Sequence, residues 1–168
     1  MRAPLNRKVY VVGYDVATPL GPSLEATWQR AVRGEAGFRR VTRCATASRS
    51  NVVGEIPDWN PQSLGFIERK DANNWNADFV FLTMALCKRA LAHAGLTMDA
   101  RTAPRTACLV GSALNGSDAL RVAVENYAQK GPTKVSPYLL PNLCANLPAG
   151  KAGMLIGFTG PIFSPQGA

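Results

Sequence analysis

"GFTGPIFSPQGA", residues 157–168, decides how the rest of the chain is read. Gly160-Pro161 is a turn that hands the chain to a short apolar run, so Pro161 to Ser164 reads as a strand. Just upstream, Asn142 to Ile156 is apolar around most of its circumference, which marks one central, buried helix. A buried helix followed by a glycine turn and a strand is the signature of a crossover in an α/β layer. Pro165 interrupts that strand, because proline removes a ladder hydrogen bond. Gln166-Gly167-Ala168 then close the sequence.

Working back from this point, Ala107 to Gly111 reads as another buried strand, and Asp118 to Gln129 as a helix stopped by Gly131-Pro132. Phe79 to Ala94 is the clearest helix. Phe79, Leu82, Leu86, Ala90 and Ala94 recur at three- and four-residue steps, and Gly95 suits the position after the C-cap. Val9-Tyr10-Val11-Val12, closed by Gly13, is β-branched and aromatic and reads as a buried strand. Thr18-Pro19-Leu20-Gly21 is a turn, and Pro22 to Val32 a helix that Gly34 ends. Residues 35–76 are irregular, as functional surface or short pieces would be. Strands alternating with helices imply parallel crossovers, and no boundary divides the 168 residues.

Composition narrows the function classes. Hydrophobic content of 46% with 18% charged residues describes a folded chain with a sizeable core. No apolar stretch approaches the ~20 residues of a membrane span, and no apolar region follows Met1-Arg2 as in a signal peptide. A cytoplasmic location is expected. The four cysteines, Cys44, Cys87, Cys108 and Cys144, lack metal-type spacing, and one histidine is too few for a zinc site, so no metal is expected. The net charge of +8 is spread through pairs such as Arg39-Arg40, Arg69-Lys70 and Lys88-Arg89. Without a basic run interleaved with aromatics, an acidic protein partner fits better than nucleic acid.

Isolated catalytic candidates are few. His93 ends a helix, where the dipole suits an imidazolium, but no serine or cysteine stands nearby for a nucleophile–base pair. Asp71 and Asp78 read as solvated carboxylates. Gly111-Ser112-Ala113-Leu114-Asn115-Gly116 lacks the Lys-Ser/Thr of a phosphate loop.

The order of the short motifs carries more. Val11 to Gly21, Glu25-Ala26-Thr27-Trp28 and Gly34 to Arg39 resemble the opening of the β-ketoacyl-[acyl carrier protein] synthases. Gly54 to Asp58, Ala90 to Leu96, Gly111-Ser112, Val135-Ser136-Pro137, Asn146 to Gly150 and Gly157 to Pro161 follow in that family's order. The resemblance covers essentially the whole chain. It implies an α/β thiolase-like fold of αβαβα layers, of which this chain is the N-terminal half only, residues 1–168, completed by a separate C-terminal chain. It also implies a dimer with a second copy, an acyl carrier protein as partner, and no cofactor.

In that family seven residues separate the Gly-Pro from the nucleophilic cysteine. Here Ile162 to Ala168 are seven residues, so the resemblance puts the cysteine immediately after Ala168 and no catalytic residue within the chain. The family's catalytic histidines belong to the second half, which leaves this chain inactive alone. Leu114 matches the gate of the acyl pocket, Leu139 and Leu140 the stretch that reaches across the dimer, and Phe163 a flank of the same cavity. Arg69, Lys70, Lys130 and Lys134 are the carrier-docking candidates. Asp15 departs from the family, standing where a second glycine is usual.

Three origins of the end at Gly167-Ala168 compete: a fragment, split genes, or autoproteolytic cleavage before the cysteine. Gly167 is expected to permit a strained peptide there, which favours cleavage. The expected activity is condensation of an acyl thioester with a malonyl-carrier thioester in fatty acid or polyketide synthesis. The alternatives are a non-catalytic, chain-length-factor-like subunit, which the residue after Ala168 would separate from the condensing enzyme, and a thiolase-fold acyltransferase or thioester hydrolase, which keeps the cysteine but loses the decarboxylating histidines of the second half.

Overall fold

Ser23 fixes where the first helix begins. Its side chain accepts a hydrogen bond from the Ala26 N–H at 3.3 Å, so α1 runs Leu24–Val32 and Pro22 lies outside it. The structure is a computed structural model describing residues 8–43, 49–60 and 77–167. The preceding turn is as expected, with Thr18 and Gly21 bonded to each other through both main-chain pairs. Within the irregular region, Arg39–Arg40 (β1) pairs antiparallel with Val52–Val53 (β2), a ribbon the sequence did not announce.

The long helix α2 spans Asp78–His93 and ends in a glycine-terminated loop. Gly95 adopts φ +63°, and the Leu96 N–H reaches back to the Leu91 carbonyl at 3.0 Å. Its buried side chains are Val80, Phe81, Met84 and Ala85, not the expected Phe79–Leu82–Leu86 stripe. The helix is apolar on most of its surface, so packing partners, not periodicity, choose the buried face.

A short turn at Ala103–Arg105 leads into β3, Cys108–Leu109, and then α3, Ser117–Lys130. Another turn, Pro132–Lys134, precedes α4, Leu139–Leu143, and α5, Leu147–Ile156. The single helix expected over Asn142 to Ile156 is therefore two. Pro148 has no N–H to donate to the Cys144 carbonyl, so the helix restarts with Pro148 in its first turn. Gly157, at φ +89°, ends α5. Ile162–Phe163 forms β4 and pairs parallel with β3, the expected crossover.

Small residues let α5 lie close over the sheet. Ala149, Ala152 and Gly153 are buried, and a Cβ on Gly153 would stand 2.7 Å from the Ile162 side chain. Cys108, Ala149, Ala152 and Phe158 form one core cluster, with Cys87, Leu91 and Met98 packed against it. Ala77, Val80, Phe81 and Met84 form a second, against which Trp59 and Leu147 pack. Strand alternation gives the sheet a covered and a bare face: Cys108 is buried, whereas Leu109 and its register partner Phe163 are exposed.

Val9 to Val12 corrects the sequence reading. All four are exposed, and none of them is in a strand. An apolar run of this kind suits a strand covered on both faces, and the described residues cover it on neither. No described helix is long and apolar enough to cross a membrane.

Candidate functional site

The end of β4 is fastened to the loop after β3 by a parallel ladder. The N–H groups of Cys108, Val110 and Ser112 donate to the carbonyls of Pro161, Phe163 and Pro165 at 2.9, 3.0 and 3.2 Å. Pro165 is tolerated because the ladder uses its carbonyl and not the N–H it lacks. Beyond it the Gln166 side-chain amide donates to the Ala113 carbonyl at 3.1 Å, and the Gly167 N–H to the Ser112 carbonyl at 3.3 Å. Gln166 and Gly167 are thus held against the loop that carries Leu114.

Gly167 does not bear out the strain argument. It is not among the glycines with positive φ, and a Cβ built on it meets nothing within 4 Å. A residue with a side chain would fit there, so nothing in its conformation points to a stressed peptide. Ala168 lies outside the described residues.

The four expected pocket residues are placed separately. Leu114 is 83% exposed at the loop tip, Phe163 lies on the bare sheet face, Leu140 is 73% exposed on α4 and Leu139 is half-buried. Neither Leu114 nor Leu140 is a core side chain within this chain. A groove of about 580 Å³ runs between α4 and α5, lined by Leu140, Cys144, Leu147, Lys151 and Met154 among others. It takes in Leu140 but not Leu114, Leu139 or Phe163. The loop still meets α4 from behind: Gly116, at φ +65°, backs onto Asn142 and Leu143.

Of the docking candidates, Arg69 and Lys70 lie outside the described residues. Lys130 and Lys134 end α3 and the following turn, both exposed on one corner, and the Lys130 ammonium donates to the Asn126 side chain at 3.1 Å.

The described titratable groups supply no activated nucleophile. Burial pushes the Cys87 thiol up to about 11, helped by neighbouring Cys108, and burial raises Cys108 as well. His93 is engaged structurally. Its Nδ1 lies 3.2 Å from the Tyr14 N–H and 2.9 Å from the Tyr14 carbonyl, and its ring meets the Tyr14 ring edge-on at 4.7 Å. Among the described residues no group of three or more His, Cys, Asp or Glu side chains could hold a metal.

Sequence reasoning missed the pairing of Asp15 with Arg89. The carboxylate, 9% exposed, contacts the guanidinium at 2.5 Å as an ion pair. Its other oxygen accepts from the Leu24 N–H that opens α1, and Arg89 donates to the Pro22 carbonyl. One carboxylate therefore ties the N-terminal segment to α1 and α2. An arginine within the apolar run of α2 was the available signal, since a half-buried charge demands a partner.

Solved structures share this arrangement. The ishigamide ketosynthase/chain length factor superposes with a TM-score of 0.73 at 18% identity, over 93% of this chain and 38% of that one. A β-ketoacyl synthase from Burkholderia phymatum STM815 gives 0.71 at 16% identity, over 91% and 38%. The fold is thus an α/β chain of the thiolase-like class.

Residues 6–168 match the family described as "Beta-ketoacyl synthase, N-terminal domain", and the chain belongs to that family. The 3-oxoacyl-[acyl-carrier-protein] synthase 2 of Staphylococcus aureus (strain COL) is 27% identical over 157 residues, and that of Vibrio harveyi 28% over 157. In both comparisons 93% of this chain is covered, but only 37% of the relative's length.

Proposed function

We propose that these residues form the N-terminal half of a β-ketoacyl synthase, completed by a C-terminal half. Together the halves would join an acyl thioester to a malonyl-carrier thioester, making fatty acids or polyketides. The observation that carries the reading is the match of residues 6–168 to the N-terminal domain of that family, and the fastening of Gln166-Gly167 to the Ser112-Ala113 loop is consistent with it. In this reading a cysteine just beyond Ala168 opens a helix, whose N-terminal dipole favours the thiolate.

The thiolate sulfur attacks the acyl thioester carbonyl, the carbonyl carbon's bond to the carrier sulfur breaks, and the carrier leaves as a thiolate that takes up the proton the cysteine gave up. Main-chain N–H groups at such an elbow can hold the oxyanion. Malonyl-carrier then loses carbon dioxide. The resulting enolate attacks the acyl carbonyl and expels the cysteine thiolate, leaving the chain two carbons longer. His93 is tied to Tyr14. In this reading the histidines for decarboxylation belong to the C-terminal half, as in the family the chain resembles, and this chain alone would be inactive.

The bare face of Leu109 and Phe163 supports coverage by that second half, as does the separate exposed run Val9 to Val12, because exposed apolar patches mark interfaces. The α4–α5 groove supports a dimer that buries Leu140. Lys130 and Lys134 fit an acidic carrier, whose encounter they would steer. One superposed structure is described as a type II PKS acyl-carrier protein in complex with its ketosynthase. Such an enzyme would work in the cytoplasm.

Leu114→Trp tests the reading in the assembled enzyme. Filling the gate should lower kcat/KM for a dodecanoyl thioester about tenfold while sparing an acetyl thioester, as overpacking an apolar pocket does. An unchanged preference would remove Leu114 from the acyl pocket. Release of carbon dioxide without chain extension, or neither reaction, would remove condensation itself.

A further inference from the structure

The long helix α2 begins without a cap of its own. Ala77 precedes it and makes no side-chain cap, so the N–H groups of its first turn need partners from elsewhere. The Asp78 N–H has one 40 residues along the chain: it donates to the Asp118 carboxylate at 3.0 Å. Asp118 itself lies in the first turn of α3, so its charge stands at the positive ends of two helices at once. Arg43 adds a further positive group. Its guanidinium is ion-paired with Asp78 and within electrostatic reach of Asp118 and Glu55, and its main-chain N–H donates to Glu55 at 3.1 Å. The starts of α2 and α3 and the end of the first ribbon strand are thus joined at one point.

Asp118 follows Leu114 by four residues. The loop that carries Leu114 is held at its entry by the Ser112 N–H on the Pro165 carbonyl and by the Gln166 amide on the Ala113 carbonyl. Gly116 backs onto Asn142 and Leu143. At its exit, Asp118 fixes the first turn of α3 to α2. Leu114, at the tip, is 83% exposed and has no packing of its own to set its direction. Its direction therefore depends on how the two ends of the loop are held.

We propose that Asp118 is a positioning residue for acyl-chain selection: by anchoring the start of α3 to the start of α2, it holds Leu114 clear of the path that a long acyl chain takes. This rests on the ketosynthase reading above, in which Leu114 gates the acyl pocket. It adds a residue that touches neither substrate nor sulfur and acts through the loop. Without the anchor the loop adopts further orientations, of which only a fraction are open, and the apparent affinity for a long chain falls by that fraction. An acetyl group does not extend to the gate and is spared.

The test uses the assembled enzyme, with dodecanoyl and acetyl thioesters compared at equal folded protein. Asp118→Ala removes the acceptor, and Asp118→Asn keeps an oxygen for the Asp78 N–H while removing the charge. Asp118→Ala should raise KM for the dodecanoyl thioester about threefold, as for a gate open in a third of its conformers, with kcat retained and the acetyl KM unchanged. Asp118→Asn should recover at least part of the dodecanoyl KM. A purely structural role would lower the folded fraction and leave the ratio of the two KM values alone, and that result would overturn the proposal. So would Asp118→Asn matching Asp118→Ala. Leu114→Trp, measured alongside, separates the two readings. If it leaves chain-length preference unchanged, the gate reading fails and the role of Asp118 with it. If it shifts the preference and Asp118→Ala does not, only the role of Asp118 fails.

Discussion

Replacing Asp15 with alanine should lower the unfolding free energy of the assembled protein by about 2–3 kcal/mol, reduced from the range for fully buried pairs because Arg89 is 35% exposed. Two losses combine. The guanidinium, held against α1 by the Pro22 carbonyl, loses its counter-charge, and the Leu24 N–H at the start of α1 loses an acceptor. Asp15→Asn separates them, because it keeps an oxygen for Leu24 and removes only the charge; it should recover about 1 kcal/mol, the worth of one helix cap. Adding Arg89→Met to Asp15→Ala should restore stability, since an apolar side chain leaves no orphaned charge. Urea unfolding of the four proteins measures this. A change within about 0.5 kcal/mol for Asp15→Ala, the range of ordinary surface substitutions, would show that the pair does not join these elements.

Gly116→Val should cost at least as much, about 3 kcal/mol, because two penalties coincide. The residue sits at φ +65°, where a β-branched side chain is disfavoured, and its Cβ would stand 2.3 Å from the Asn142 carbonyl oxygen. Neither can relax alone, since the contact is with main chain. Gly167→Val is the contrast: with an unstrained backbone and open space around the Cβ, it should be nearly neutral to folding in this half. Thermal unfolding of both variants compares them. Equal losses would contradict the geometry of the loop and of the strand end alike.

The parts of the fold legible in the sequence were those decided locally. Gly34, Gly95 and Gly157 end their helices in the left-handed conformation that glycine tolerates, and the first two were read as stops. The pairing of β3 with β4 followed from two short apolar runs joined through helices. What failed depended on neighbours distant in sequence. Val9 to Val12 has the composition of a strand, but a strand exists only through its partners, and none of the described residues pairs with it. The split between α4 and α5 was signalled by Pro148 and overlooked because apolar residues continue through it.

The site divides in the same way. The apolar run after Gly160-Pro161 was legible as the strand that is β4, whereas the seven-residue interval from Gly160-Pro161 has chemical meaning only through the family's motif order. The fastening of Gln166 and Gly167 to the Ser112-Ala113 loop could not be read from residue types, since it depends on register. Asp15 stood out in sequence as a departure, yet its role required knowing that Arg89 lies opposite. The strain assigned to Gly167 was inferred from its identity, and the backbone there is ordinary.

Mass mapping of the acylated natural protein tests the central claim most directly. Incubated with an octanoyl thioester and digested, it should carry one octanoyl group, on the side chain directly following Ala168 and removable by hydroxylamine as a thioester is. An acyl group found instead on Cys144, or no acyl group on any peptide of a folded, carrier-binding protein, would contradict it.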